Sequence, residues 1–192
     1  TYNGTSWTEG GNLNSARERL GEAAGTTAAG LVFGGQGPPP AMQTNTEEYN
    51  GTSWTAGGVL NTGRYQLSGA GTQTAGLAFG GDLDPGASAK TEEYNGASWS
   101  EVTDMPTATE ELAGYGTQTA GVAVGGPPGY TINYDGTGWV TSAANLVTAR
   151  AGLRSGKAGT STAGIVFGGG FPPGTATEEF AGVATTETIT TS

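Results

Sequence analysis

Ala75-Gly-Leu-Ala-Phe-Gly-Gly81, followed by Thr91-Glu-Glu-Tyr-Asn-Gly-Ala-Ser-Trp99, is the stretch on which the reading of this chain turns. Its apolar half recurs as Ala29–Gly35, Ala120–Gly126 and Ala163–Gly169. Its Tyr/Trp half recurs as Thr46–Trp54 and, eroded, as Thr131–Trp139. Half-copies stand at both ends, Thr1–Trp7 and Thr177–Gly182. Trp7, Trp54, Trp99 and Trp139 mark a period of about 45 residues, so the 192 residues hold four copies of one unit.

Each unit divides into four short segments. In the second copy they are Leu67–Thr72, Ala75–Phe79, Thr91–Tyr94 and Ala97–Glu101. Such lengths suit strands rather than helices. Leu77-Ala-Phe79 before Gly80-Gly81 reads as a strand buried on both faces. Asn95-Gly96, with Asn3-Gly4, Asn50-Gly51 and Asp135-Gly136, predicts a two-residue type I′ hairpin. Thr72-Gln-Thr74 and Thr117-Gln-Thr119 predict a second turn in their units. The third connection of each unit (residues 36–45, 82–90, 127–130 and 170–176) varies in length and wording, and three of the four carry Pro-Pro. Variable insertions in a repeat array fall on one face, which makes that face the place to look for binding.

Composition narrows function mainly by exclusion. With no His and no Cys, neither Ser-His-Asp nor Cys-His machinery, no disulfide and no His- or Cys-based zinc site can be built. No cofactor is expected. A net charge of −10 with seven Lys and Arg opposes nucleic acid and anionic membrane surfaces as partners. No apolar run reaches the length of a membrane span, so no membrane insertion is expected. Gly is 37 of 192, but the glycines recur at fixed repeat positions and read as turns and close packing. The chain begins inside a repeat without Met, and we expect a processed product or a piece of something longer.

The carboxylate pairs Glu47-Glu48, Glu92-Glu93, Glu110-Glu111 and Glu178-Glu179 do not read as a hydrolytic pair. Adjacent strand residues point to opposite faces, and recurrence at one repeat position favours a structural role beside the recurrent Arg17, Arg64 and Arg150. The Trp and Tyr residues in repeat register are read as packing residues. Asp135-Gly-Thr-Gly-Trp139 is read as a worn copy of the outer hairpin, and Asn3-Gly-Thr5 and Asn50-Gly-Thr52 as turns as well as sequons. Asp82-Leu-Asp84 is a weak Ca²⁺-loop candidate beside the reading of a polar turn. Met42, Tyr130 and Phe171 lie in or beside the Pro-rich connections. These three, with Asp82 and Asp84, are the candidate ligand or partner contacts. No catalytic, cofactor or metal residue is expected.

The apolar strand ending in Gly-Gly, the following Tyr-Asn or Tyr-Asp, the Trp some five residues on and the Arg before the first strand resemble the kelch motif over residues 1–182. Arg17, Arg64 and Arg150 hold the Arg position, and we expect Glu110 there in the third copy. The resemblance implies an all-β, four-bladed β-propeller with four antiparallel strands per blade. The repeats are about 9–54, 55–99, 100–139 and 140–182. Residues 1–8 are expected to close the ring, with Thr5–Thr8 as outer strand of the blade begun by residues 153–180, and 183–192 to form a tail or linker. An open or multi-chain assembly is the alternative. The copper chemistry of one kelch-like oxidase family needs His and Cys, and is excluded. The wording of the repeats is also similar to that of tail-fibre-like proteins of marine bacteriophages. That implies a non-enzymatic structural and recognition module of a virion or extracellular surface, contacting a host surface glycan or protein. A self-associating subunit of an extracellular filament is the alternative, and a propeller lectin or glycosidase a third.

Overall fold

The computed structural model describes residues 1–22, 25–126, 129–156, 159–170 and 174–181. The described chain is all-β, in antiparallel sheets that follow one another in chain order. The first contains β1 (Gly21–Glu22), β2 (Gly30–Phe33), β5 (Thr46–Tyr49) and β6 (Trp54–Ala56). A small hairpin of β3 (Gln36–Gly37) and β4 (Ala41–Met42) interrupts it. The second sheet is β7 (Ser68–Thr72), β8 (Ala75–Phe79), β9 (Thr91–Tyr94) and β10 (Trp99–Glu101). The third is β11 (Ala113–Thr117), β12 (Ala120–Gly125), β13 (Tyr130–Tyr134) and β14 (Trp139–Thr141). The fourth has three strands, β15 (Arg154–Ser155), β16 (Ala163–Phe167) and β17 (Thr177–Ala181).

The segments expected in the second copy are the strands observed there, within two residues. The hairpin turns differ from expectation in two ways. Tyr94 pairs with Trp99, so the outer loop holds four residues rather than two. Only Gly96 has positive φ there, at 89°. The Asn95 carboxamide oxygen accepts from the Ala97 and Ser98 amides, each at 2.9 Å. That side-chain cap supplies the acceptor that a type I′ turn would take from the backbone. The inner hairpin, by contrast, pairs Thr72 with Ala75 around Gln73-Thr74.

The apolar cores lie between successive sheets. Leu31, Phe33, Leu60, Leu67, Tyr94 and Trp99 form the first; Leu77, Phe79, Leu112, Ile132 and Tyr134 belong to the second. Tyr115, Val122, Val124, Leu153 and Val166 form the third. Every sheet therefore needs its neighbour. The first strands of successive copies lie side by side, β1 against β7, β7 against β11 and β11 against β15. That approach explains Gly114, where a Cβ would stand 2.7 Å from the Gly69 carbonyl oxygen.

Polar staples repeat at the first two junctions. Gln73 Nε2 donates to the carbonyls of Gly30 and Tyr49 in the preceding sheet, and Gln118 Nε2 to those of Gly76 and Tyr94. The Tyr94 hydroxyl donates to Glu48 and the Tyr134 hydroxyl to Glu93. Within the first, second and fourth sheets the other glutamate of the pair serves the arginine: Arg17–Glu47 at 2.7 Å, Arg64–Glu92 at 2.8 Å, and Arg150–Glu178. Burial by itself would raise the Glu47 carboxyl. The Asn14 amide and the Arg17 guanidinium outweigh it and hold the group below its ordinary value.

Register corrects the third copy. Gly35 and Gly126 donate to the carbonyls of Arg64 and Arg150, and Gly81 to that of Thr109. Thr109, not Glu110, thus holds the arginine position, and Ile132 holds that of its glutamate. Both charges are absent together, and a cavity of about 130 Å³ between Thr109, Leu112, Tyr130 and Ile132 marks the place.

Burial and then the Glu48 carboxylate push the Tyr94 phenol up to about 12, and burial and then the Glu93 carboxylate raise Tyr134. The folded state holds the neutral phenol. Above pH 10 the unfolded chain loses protons that the folded chain keeps, so stability falls as pH rises from 10 through 12. Tyr94→Phe should cost about 1 kcal/mol at neutral pH and flatten this alkaline decline, as read from urea midpoints across the alkaline range. An unchanged slope would show that Tyr94 does not titrate in this way.

The expected closing strand is not seen among the described residues. Thr1 and Thr8 exchange backbone hydrogen bonds, Tyr2 pairs with Trp7, and β17 pairs with β16 alone. Residues 1–8 close on themselves because they carry their own Tyr and Trp, with the Asn3 cap between. The tail 183–192 lies outside the described residues.

Candidate functional site

A leucine opens the first strand of every copy: Leu20, Leu67, Leu112 and Leu153. The last three are buried. The residue before each has positive φ: Arg19 at 52°, Gln66 at 54°, Glu111 at 56° and Gly152 at 68°. Three of these are not glycine, and such residues persist in that region only where surroundings enforce it. Here the enforcement is visible. Gln66 N–H donates to Arg19 C=O, Glu111 N–H to Gln66 C=O, and Gly152 N–H to Glu111 C=O, at 2.8, 3.1 and 2.9 Å. The backbone bonds run from copy to copy and gather the four leucine turns around one cavity of about 350 Å³.

The residue before the leucine differs in every copy: Arg19, Gln66, Glu111 and Gly152. Arg19, Gln66, Glu111 and Arg154 line the mouth of the cavity, over a floor of the leucines and Ser68. Gln66 Nε2 donates to Glu111 Oε1 at 2.6 Å. The Arg19 guanidinium lies 5.9 Å from the Tyr65 ring centroid. Glu111 is the one carboxylate among the described residues lining the cavity. The mouth therefore offers donors from two guanidiniums and an amide, with one acceptor carboxylate. That set grips hydroxyls, carboxylates or amides by hydrogen bonding.

Three of the variable connections begin beside the same turns. Gln36, at the start of the β3–β4 hairpin, pairs with Glu18 beside Arg19. Asp82 pairs with Tyr65 beside Gln66. Gly170 N–H donates to Ala151 C=O beside Gly152.

The candidate contacts read from sequence fall in different settings. Met42 stands on the hairpin and is exposed. Asp82 Oδ1 accepts from the Asp84 amide at 2.5 Å, which is a polar turn. Burial and the Asp82 carboxylate push the nearby Glu110 carboxyl up, and neither carboxylate lines the cavity. Tyr130 is half-buried at the start of β13 and packs against the core between the second and third sheets. Phe171 lies outside the described residues. Among the described residues no group of three or more His, Cys, Asp or Glu is placed to hold a metal ion. No helix among them is long and apolar enough to cross a membrane.

Sequence reading did not single out Arg19, Gln66, Glu111 or Arg154. The available signal is the recurrence of the leucine beside a position whose residue never recurs. Compared with known proteins, the chain matches no family model and no curated protein.

Proposed function

We propose that this chain is a non-catalytic structural and recognition module of four kelch-like blades set around one axis. It works on a virion or extracellular surface, in the manner of a tail-fibre-like protein, and grips a surface glycan or protein at the axial mouth. One observation carries this reading. Four repeat-equivalent residues of different chemistry are drawn by copy-to-copy backbone bonds around one cavity. The recurrent charges, by contrast, are occupied with one another: Arg17, Arg64 and Arg150 with Glu47, Glu92 and Glu178. Identical residues at identical positions build the array, and the place where copies diverge is free to recognise a ligand. The absence of His and Cys supports a role in binding over nucleophilic chemistry.

The test is a panel of bacterial surface polysaccharides and surface proteins, probed with the parent chain and with a Gln66→Ala/Glu111→Ala variant. Removing one hydrogen-bonding group to a ligand costs about 1–3 kcal/mol, or roughly 5- to 150-fold. The variant should lose binding on that scale while its melting midpoint stays within a few degrees. Silence of the parent across the panel, or undiminished binding by the variant, would sink the recognition role. The exposed outer edge of the fourth sheet favours a second reading, a self-associating subunit.

A further inference from the structure

The first two sheet junctions are sealed by an indole from the later sheet. Trp99 and Trp139 stand edge-on to Phe33 and Phe79 of the earlier sheet, with ring centroids 4.9 and 5.1 Å apart. Each lies against a tyrosine of its own sheet, Tyr94 or Tyr134. Each donates its Nε1–H to a threonine of the earlier sheet, Thr46 at 2.8 Å and Thr91 at 2.9 Å.

The third junction has the same three positions, filled by Val124, Phe180 and Thr131. No indole lies among them in the described residues. They line a cavity of about 240 Å³ instead. Asn133 stands where Glu48 and Glu93 accept a tyrosine hydroxyl, and its buried Oδ1 has no hydrogen-bond partner among the described residues. The strand that would bring the indole is also lacking, since β17 has a free outer edge among the described residues. Ile165 and Phe167 on β16 are 37% and 42% exposed.

Trp7 is the counterpart. It is 81% exposed. Its ring lies 5.1 Å from that of Tyr2, tilted by 36°, as in the outer Tyr–Trp pairs of the first three sheets. Residues 8–12 behind it are exposed and form no regular structure, so they can serve as a hinge.

We propose that residues 6–8 of a second copy add to the free edge of β17 and seat Trp7 in the cavity between the third and fourth sheets. The repeat sets the register: Trp7 opposite Phe180 and Thr8 opposite Glu179, as Trp99 stands opposite Tyr94 and Ser100 opposite Glu93. The indole Nε1–H then meets the Thr131 hydroxyl. Backbone pairing supplies the attraction and the indole socket supplies the register. Within one chain the hairpin stays closed on Tyr2 with its indole in solvent. Reciprocal exchange of one strand between two copies uses contacts that the fold already makes elsewhere, and closes as a two-fold dimer. The inference rests on the blade equivalence used above and not on the recognition role. Loss of ligand capture with an intact dimer would remove only the latter.

The experiment is sedimentation equilibrium of the full chain and of Trp7→Ala, with fluorotryptophan NMR to follow Trp7. Trp7 is exposed, so its replacement leaves the folded chain in place, and an unchanged melting midpoint of the dilute chain checks this. The expected results are a concentration-dependent species of twice the 19.0 kDa chain, a Trp7 resonance that moves with dimer formation, and a monomeric Trp7→Ala. Dimerisation of Trp7→Ala as strong as that of the parent overturns the proposal. So does a parent that stays monomeric, whether Trp7 is then shielded in its own chain's cavity or open to solvent.

Discussion

Arg64→Met is expected to cost about 3–5 kcal/mol, the range for removing one partner of a buried ion pair. The Arg64 and Glu92 side chains are both 0% exposed. The guanidinium also ties down the carbonyls of Gly80 and Lys90, at 3.0 and 2.7 Å. Glu92 accepts from the amide and carboxamide of Asn61, at 2.7 and 3.0 Å. Burial pulls the Arg64 guanidinium below its ordinary value, and the Glu92 charge opposes that. Without Arg64, a buried carboxylate is left with Asn61 alone. Arg64→Met with Glu92→Leu should recover part of the loss, because no unpaired charge remains. Recovery stays incomplete, since two carbonyls and Asn61 still lose a partner. The third sheet shows that such an exchange folds: Thr109 and Ile132 occupy these positions beside their small cavity. Urea midpoints of the two single variants and the double variant form the cycle. A double variant as unstable as the sum of the singles would refute the pairing argument.

Trp99→Ala is expected to cost about 3–5 kcal/mol, as buried aromatic truncations do. Trp99 is 5% exposed and sits between two sheets, against Phe33 and Tyr94. Its loss also strands the buried Thr46 hydroxyl. Trp54 is the internal control. It has the same repeat position and the same tyrosine contact, at 5.0 Å, but the first sheet has no complete sheet before it. Trp54→Ala should therefore cost only about 1 kcal/mol, near the average for a point substitution. Equal losses at the two positions, measured by thermal or urea unfolding, would mean that the indoles stabilise their own sheets rather than the junctions.

The repeat made much of this architecture legible. Strand existence and order followed from Ala75–Gly81 and Thr91–Trp99 because apolar runs and turn residues act locally. The structural role of the glutamate pairs was legible too, since neighbouring strand residues face opposite ways: Glu92 serves Arg64 inside its sheet, and Glu93 serves Tyr134 of the next. The outer turn misled because Asn-Gly suits two loops. Which one forms depends on whether the Asn95 side chain caps the amides two and three residues on. The shift from Glu110 to Thr109 was missed because the copy was aligned on the charged residue rather than on its leucine. The leucine three residues after each arginine was the signal that points to Thr109 before Leu112, and the Gly81 to Thr109 hydrogen bond agrees with it. The cavity mouth was the least visible. Arg19, Gln66 and Glu111 are about 45 residues apart and meet only through bonds between copies. Their left-handed backbone is imposed by that meeting rather than by residue type.

The proposed arrangement of four sheets around one axis rests on the bonds linking Arg19, Gln66, Glu111 and Gly152. Amide hydrogen exchange measures this most directly. The amides of Gln66, Glu111 and Gly152 lie outside every strand. They should exchange as slowly as the core amides of β8 and β12, because opening them requires parting adjacent sheets. Exchange of all three at the rate of exposed loop amides would contradict it.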